Sequence, residues 1–261
     1  MGRNKIDRTG EINYNTFGSK MIITRYRKNN DIDVYFTEYD WTAKNVIYGN
    51  FKKGNIKCPY ERSVYGVGYI GEEKYKISEN SKQSKCYKVW SKMLQRCYDE
   101  KFHKRNPTYI GCEVSEEWLC FQNFAEWYYN NYYEIESERM CLDKDILNKG
   151  NKLYSPNNCI FVPERINLLF VKCDRSRGEY PIGVYYHKQR EKFVTKCSIY
   201  DFKENKSKEI HLGYYKTTEQ AFKVYKKFKE QNIKEVADYY KKQIPYKLYD
   251  AMYKYEVEIT D

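Results

Sequence analysis

Residues 142–167, LDKDILNKGNKLYSPNNCIFVPERIN, hold the side chains of this chain best suited to chemistry. Asp143 and Asp145 stand two apart, so a regular strand would turn both carboxylates to one face. Such a pair can hold a divalent cation and leave water to act as base. The competing reading is that Asp145 pairs with a nearby lysine. Lys144 lies between them. At an ordinary lysine pKa only about one side chain in 2,500 is neutral at pH 7, and flanking carboxylates lower that fraction further. Lys144 is thus better suited to gripping a phosphate than to activating water. Asn158 closes the turn-forming YSPNN of residues 154–158, and Asn167 follows nine residues later. The chain has three histidines, His103, His187 and His211, and none falls in this stretch.

The elements that must position these groups follow from pattern. In residues 1–70, β-rich runs at 21–26 and 33–37 flank the turn-prone residues 28–31. Residues 45–48 predict a further strand, and 51–57 close the unit near Pro59. Residues 61–84, with Gly66, Gly68 and Gly71 and a Lys/Ser-rich stretch, read as a connector whose polar part is 71–84. From Ser84, Tyr87, Trp90, Leu94 and Cys97 keep helical spacing, as do Trp118, Phe121, Ala125 and Tyr128 in a second helix over 115–129. A strand, loop and helix then span 142–170. In the last segment, 183–187, 192–199 and 209–215 predict three strands, with an Asn205-containing loop before the third. A long amphipathic helix follows Thr217, where Thr217 and Gln220 have capping-box spacing.

Charge divides unevenly along the 261 residues. The formal excess is +5 over 1–70, 0 over 71–171 and +6 over 172–261, giving +11 in total. Basic flanks suit a polyanion, because each neutralised phosphate releases counterions. The nine cysteines include no C-x-x-C pair. With no signal peptide or membrane span expected, and Ile6 in place of the Ser or Thr that myristoylation requires, the expected setting is a reducing cytoplasm with buried thiols.

Residues 87–170 resemble the small HNH endonucleases of phages and mobile introns. The resemblance rests on WSKM at 90–93, RCY at 96–98, GCEV at 111–114, EW at 117–118, LDKD at 142–145, YSPNNC at 154–159 and Asn167. Residues 180–225 resemble APETALA2-type DNA-binding domains, through IGV at 182–184, KF at 192–193, HLGY at 211–214 and TTEQA at 217–221. The N-terminal segment is similar to accessory modules of such proteins.

The resemblance implies an α+β protein in parts. These are a small β module (1–70), a connector (71–84), a degenerate HNH-like ββα-metal domain with preceding helices (85–171), and an APETALA2-like three-stranded sheet plus long helix (172–261). It implies that Asp143 and Asn167 hold Mg²⁺ or another divalent cation, with Asp145 as a further candidate, and that Asn158 orders the loop. The general-base position carries Lys144. Cys97, Cys112 and Cys159 fall at recurring cysteine positions and His103 could join them, but the spacing lacks paired zinc ligands and zinc is not expected. Tyr185, His187, Arg190, Lys192 and Lys196 are the candidates for a DNA-facing sheet, with Arg190 best suited to guanine. Arg25 and Arg27 form a smaller basic cluster. The expected partner is double-stranded DNA, bound in the cytoplasm of a bacterial host with cleavage weak or lost. An active metal-dependent nicking endonuclease and an accessory protein that binds a host protein, for example in anti-defence, are the competing readings. No membrane and no nucleotide cofactor is expected.

Overall fold

The computed structural model describes residues 6–171, 178–204 and 206–259, so the Asn205 of the expected loop lies outside the described residues. The protein mixes α and β structure in several small sheets. It divides into two compact units, Met1–Asn130 with Leu153–Ser155, and Asn131–Lys152 with Pro156–Asp261. Residues 85–171 are therefore shared between the two.

The first unit opens on a four-stranded antiparallel sheet of Ile12–Tyr14 (β1), Lys20–Lys28 (β2), Asp31–Phe36 (β3) and Trp41–Val46 (β4), in chain order. Met21 and Ile23 on β2 and Ile32, Val34 and Phe36 on β3 are fully buried at period two, which commits one face to the core. The strand expected over 45–48 is not formed as such. β4 ends at Val46, and Tyr48–Lys52 is a short helix (α1). Tyr48 and Phe51 are three apart and both buried, so helical spacing puts both rings into the sheet's core.

The stretch read as a connector is packed. Ser78–Glu79 (β5) and Lys82–Gln83 (β6) pair as a small hairpin. The buried Gln122 accepts from the N–H groups of Lys74 (3.0 Å) and Tyr75 (2.7 Å) and donates to the Tyr75 carbonyl (3.2 Å). Gly68 permits a close approach to the next helix, since a Cβ there would lie 2.3 Å from Leu94 Cδ1 and 3.0 Å from Trp90 Cζ2. That helix, Lys85–Tyr98 (α2), begins where expected, with Ser84 Oγ accepting from the Tyr87 N–H at 3.2 Å. It buries Cys86, Trp90, Met93, Leu94 and Cys97. Glu100–Arg105 (α3) follows, and Glu113–Val114 (β7) pairs in parallel with Leu153–Tyr154 (β9).

The single helix expected over 115–129 is two, Glu116–Leu119 (α4) and Phe121–Asn131 (α5). Tyr69 causes the break. Its N–H donates to the Leu119 carbonyl at 3.0 Å and its carbonyl accepts from the Phe121 N–H at 2.9 Å, which holds Cys120 extended. Ser115 stands at the helix start, but its hydroxyl makes no capping bond.

In the second unit, Met140–Asp143 (β8) pairs antiparallel with Ile160–Pro163 (β10), Asp143 opposite Ile160, and Glu164–Leu168 (α6) packs against both. Val184–His187 (β11), Lys192–Asp201 (β12) and Lys206–Tyr215 (β13) form an antiparallel sheet in that order. Thr218–Tyr240 (α7) packs along it and starts where expected, Thr217 Oγ1 accepting from the Gln220 N–H at 3.3 Å. Tyr246–Tyr253 (α8) had no counterpart among the expected elements; it packs on α7 and buries Leu248 and Met252. Ile146, Val162 and Ile166 share one hydrophobic core with Cys197, Ile233, Ala237 and Leu248, so the strand–loop–helix and the sheet with its helix are built around the same interior.

No helix among the described residues is long and apolar enough to cross a membrane. Of the described cysteines all are buried except the half-buried Cys141, and burial pushes the Cys86 thiol up to about 12.

Candidate functional site

β8 stops at Asp143 for a reason that also decides the chemistry. Asp143 Oδ1 accepts from the backbone N–H groups of Asp145 (2.9 Å) and Ile146 (2.8 Å), which bends the chain away from the strand. The expectation that Asp143 and Asp145 share one strand face is therefore corrected, since Asp145 lies beyond the strand end. Lys144 turns inward and is 9% exposed. Its Nζ donates to Asp145 Oδ2 at 3.0 Å and to the Asn151 carbonyl at 2.9 Å, and Asn151 Nδ2 donates back to the Lys144 carbonyl at 2.7 Å. Lys144 thus pins the loop 144–151 from within, and Asp145 has the lysine partner that one reading of the sequence gave it. Asn158 bonds the same loop, its Oδ1 accepting from Asn148 Nδ2 and its Nδ2 donating to Asn151 Oδ1, both at 3.3 Å.

Burial pushes the Asp143 carboxyl up to about 6, with repulsion from Asp145 adding to it and the two amide bonds opposing it. A carboxyl raised in the folded chain holds its proton more tightly there, so this contribution to stability is present at low pH and lost as pH rises through about 6. Asp143→Asn keeps an oxygen for both amides and removes the buried charge. In chelator, urea unfolding at pH 8 is expected to show a gain of about 1 kcal/mol, allowing for solvent screening, and no gain near pH 4. A loss at pH 8 would mean that the loop needs the charge.

Asn167 lies half-buried on α6, and its side-chain amide has no hydrogen-bond partner among the described residues. The helix α6 that carries Asn167 packs against β8, which ends at Asp143, and carboxylate and amide oxygens are the ligand types that hard cations such as Mg²⁺ take. Among the described residues no three His, Cys, Asp or Glu side chains come together as a metal-holding group. His103 Nε2 sits 2.8 Å from the Arg96 carbonyl.

The second site is the sheet face opposite α7. Cys197 packs in the core with Tyr225 and Val236 of α7, which assigns its alternating partners on β12 to the helix side. Gly183 seats that helix, because a Cβ there would fall 2.2 Å from Tyr225 Cδ2. The strand register pairs Tyr185 with Val194, His187 with Lys192, and Lys196 with His211. Tyr185, His187, Lys192 and Lys196 consequently share the outer face. Arg190, in the turn between β11 and β12, lays its guanidinium over the Tyr214 ring at 4.6 Å from the centroid. His187 and His211 meet the same ring at 5.6 and 4.8 Å between centroids. Tyr214 is the residue that organises them, and the sequence marked it only as part of HLGY at 211–214; its pairing with Val194 across the sheet puts it on this face. Lys196 Nζ is held by Glu209 Oε1 at 2.8 Å, so part of its charge is offset.

The N-terminal arginines separate. Arg27 lies in an ion-pair network with Asp31 (2.6 Å) and both oxygens of Asp33 (2.7 and 2.9 Å), which takes it out of a free basic cluster. Arg25 is exposed.

No family model, no curated protein and no solved structure matches this chain.

Proposed function

We propose that this protein binds double-stranded DNA through the outer face of β11–β13, and that residues 140–168 are a degenerate HNH-type ββα core with cleavage weak or lost. The observation that carries the binding reading is the strand register, which brings Tyr185, His187, Lys192 and Lys196 to one face with Arg190 ordered at its edge. Strands laid in a major groove present alternate side chains to bases and phosphates, and this sheet would dock in that way. Stacking on Tyr214 fixes the Arg190 plane, which favours bidentate contact with a guanine edge. The reading of cleavage as weak or lost is supported by Lys144, whose ammonium is bound within the loop where a base would need a free lone pair. Asp143 and Asn167 would hold a divalent cation, which would supply charge for a bound phosphate.

Two substitutions test the face. Arg190→Ala is expected to relax preference at one base position, at a cost of roughly 1–3 kcal/mol for the preferred duplex. Glu209→Gln is expected to tighten binding to all duplexes alike, because it removes a negative charge from the face and releases Lys196. Competition binding with randomised duplexes reads both. If neither substitution changes affinity or preference, this face does not contact DNA.

A further inference from the structure

In a chain with a net charge of +11, the first unit carries a cavity of opposite character. It encloses about 690 Å³, well within the range of small-molecule and side-chain sites. Phe17, Trp41 and Tyr87 contribute aromatic walls, and Glu61, Glu72 and Glu73 contribute three carboxylates against the single cation of Lys57. The carboxylates differ in setting. Glu61 is 3% exposed, and both its oxygens are held by neutral donors, Oε1 by Asn15 Nδ2 and Ser19 Oγ (2.7 Å) and Oε2 by the Cys58 N–H (3.3 Å). Glu72 lies at the mouth, where its Oε1 accepts from Trp41 Nε1 at 3.2 Å and fixes the indole. Glu73 is exposed at the same mouth and has no partner among the described residues.

Three carboxylates against one lysine around an aromatic-lined cavity draw a further cation to it, with less screening than at an open surface. Aromatic faces favour a flat, weakly hydrated cation, because the ring quadrupole and the guanidinium plane fit each other. The acidic mouth repels nucleic acid, so this cavity has a partner different from that of the sheet. We propose that the cavity binds a basic side chain, arginine above lysine, presented by a polypeptide partner.

Trp41 makes the cavity readable in the full-length protein. The probes are blocked pentapeptides with a single central residue in a Gly/Ala frame: arginine, its neutral isostere citrulline, or lysine. Free agmatine, which has a guanidinium but no peptide backbone, is the fourth. The arginine peptide is expected to change tryptophan emission saturably, and Trp41→Phe to abolish the change. Citrulline is expected to bind about tenfold more weakly, the loss of one desolvated cation–aromatic contact. Glu73→Gln, a change at an exposed side chain that leaves the fold intact, is expected to weaken the arginine peptide and not the citrulline one. Equal binding of the citrulline and arginine peptides would overturn the proposal, as would no saturable response to the arginine peptide. Agmatine binding as tightly as that peptide would overturn the polypeptide assignment. DNA binding by the same preparation is a separate readout, so loss of duplex binding alone bears on the sheet and leaves the cavity unaffected.

Discussion

Affinity for duplex DNA is expected to fall by on the order of 10²–10³ between about 50 and about 200 mM salt. The outer sheet face presents Arg190, Lys192 and Lys196, and the rest of the basic segment beyond residue 171 adds exposed lysines such as Lys188 and Lys216. If about four or five of these neutralise phosphates, the slope of log affinity against log salt is about −4. Fluorescence anisotropy with a labelled duplex measures it directly. Lys192→Ala should reduce the slope by about 1, since it deletes one phosphate contact without touching the base-reading edge. Arg27→Ala, by contrast, is expected to leave the slope unchanged, because Arg27 is already committed to Asp31 and Asp33. A flat salt dependence, or no duplex binding at low salt, removes DNA as the partner and leaves the protein-binding reading in its place.

The parts of this fold that were legible in the sequence are those where one local rule decides the outcome. The hairpin at residues 28–31, the start of α2 at Ser84 and the start of α7 at Thr217 each depend on a turn or capping residue next to a periodic apolar run. The misread parts depend on contacts between distant residues. The break at Cys120 exists because Tyr69, fifty-one positions earlier, supplies a donor and an acceptor there. Residues 61–84 looked like a linker because their glycines suggest flexibility, whereas Gly68 lacks a side chain so that Trp90 and Leu94 can approach. At the candidate site the residue types were visible and their partners were not. Asp143 and Asp145 read as a pair under the assumption of a continuous strand, and the Asp143 carboxylate itself ends that strand by capping the turn. On the sheet, alternation was enough to group Tyr185, His187, Lys192 and Lys196, but the place of Tyr214 on that face emerged only from cross-strand pairing.

Lys144→His is expected to confer metal-dependent nicking of supercoiled plasmid, or raise any present, by roughly 10²–10⁴-fold, the usual worth of a positioned general base. The substitution changes two things at once. It removes the ammonium that occupies Asp145 Oδ2 and the Asn151 carbonyl, and it places an imidazole beside Asp143. The Asn151 carbonyl that bonded the lysine can accept from one ring N–H, which fixes the tautomer and leaves the other nitrogen unprotonated to take a proton from water. Asn158 continues to bond Asn148 and Asn151, so the loop keeps a tie that does not depend on Lys144. The gain should require Mg²⁺ or Mn²⁺ and should vanish in the Lys144→His, Asp143→Ala double variant, since the base is useful only next to a metal-held phosphate. Thermal unfolding and duplex binding, measured on the same variants, separate a failed site from a failed fold. If the folded, DNA-binding Lys144→His variant nicks no faster than the natural chain, the loss of catalysis extends beyond this one position. If instead the natural chain nicks strongly and Lys144→Ala abolishes it, the lysine is itself catalytic and the loop that holds it must open during turnover.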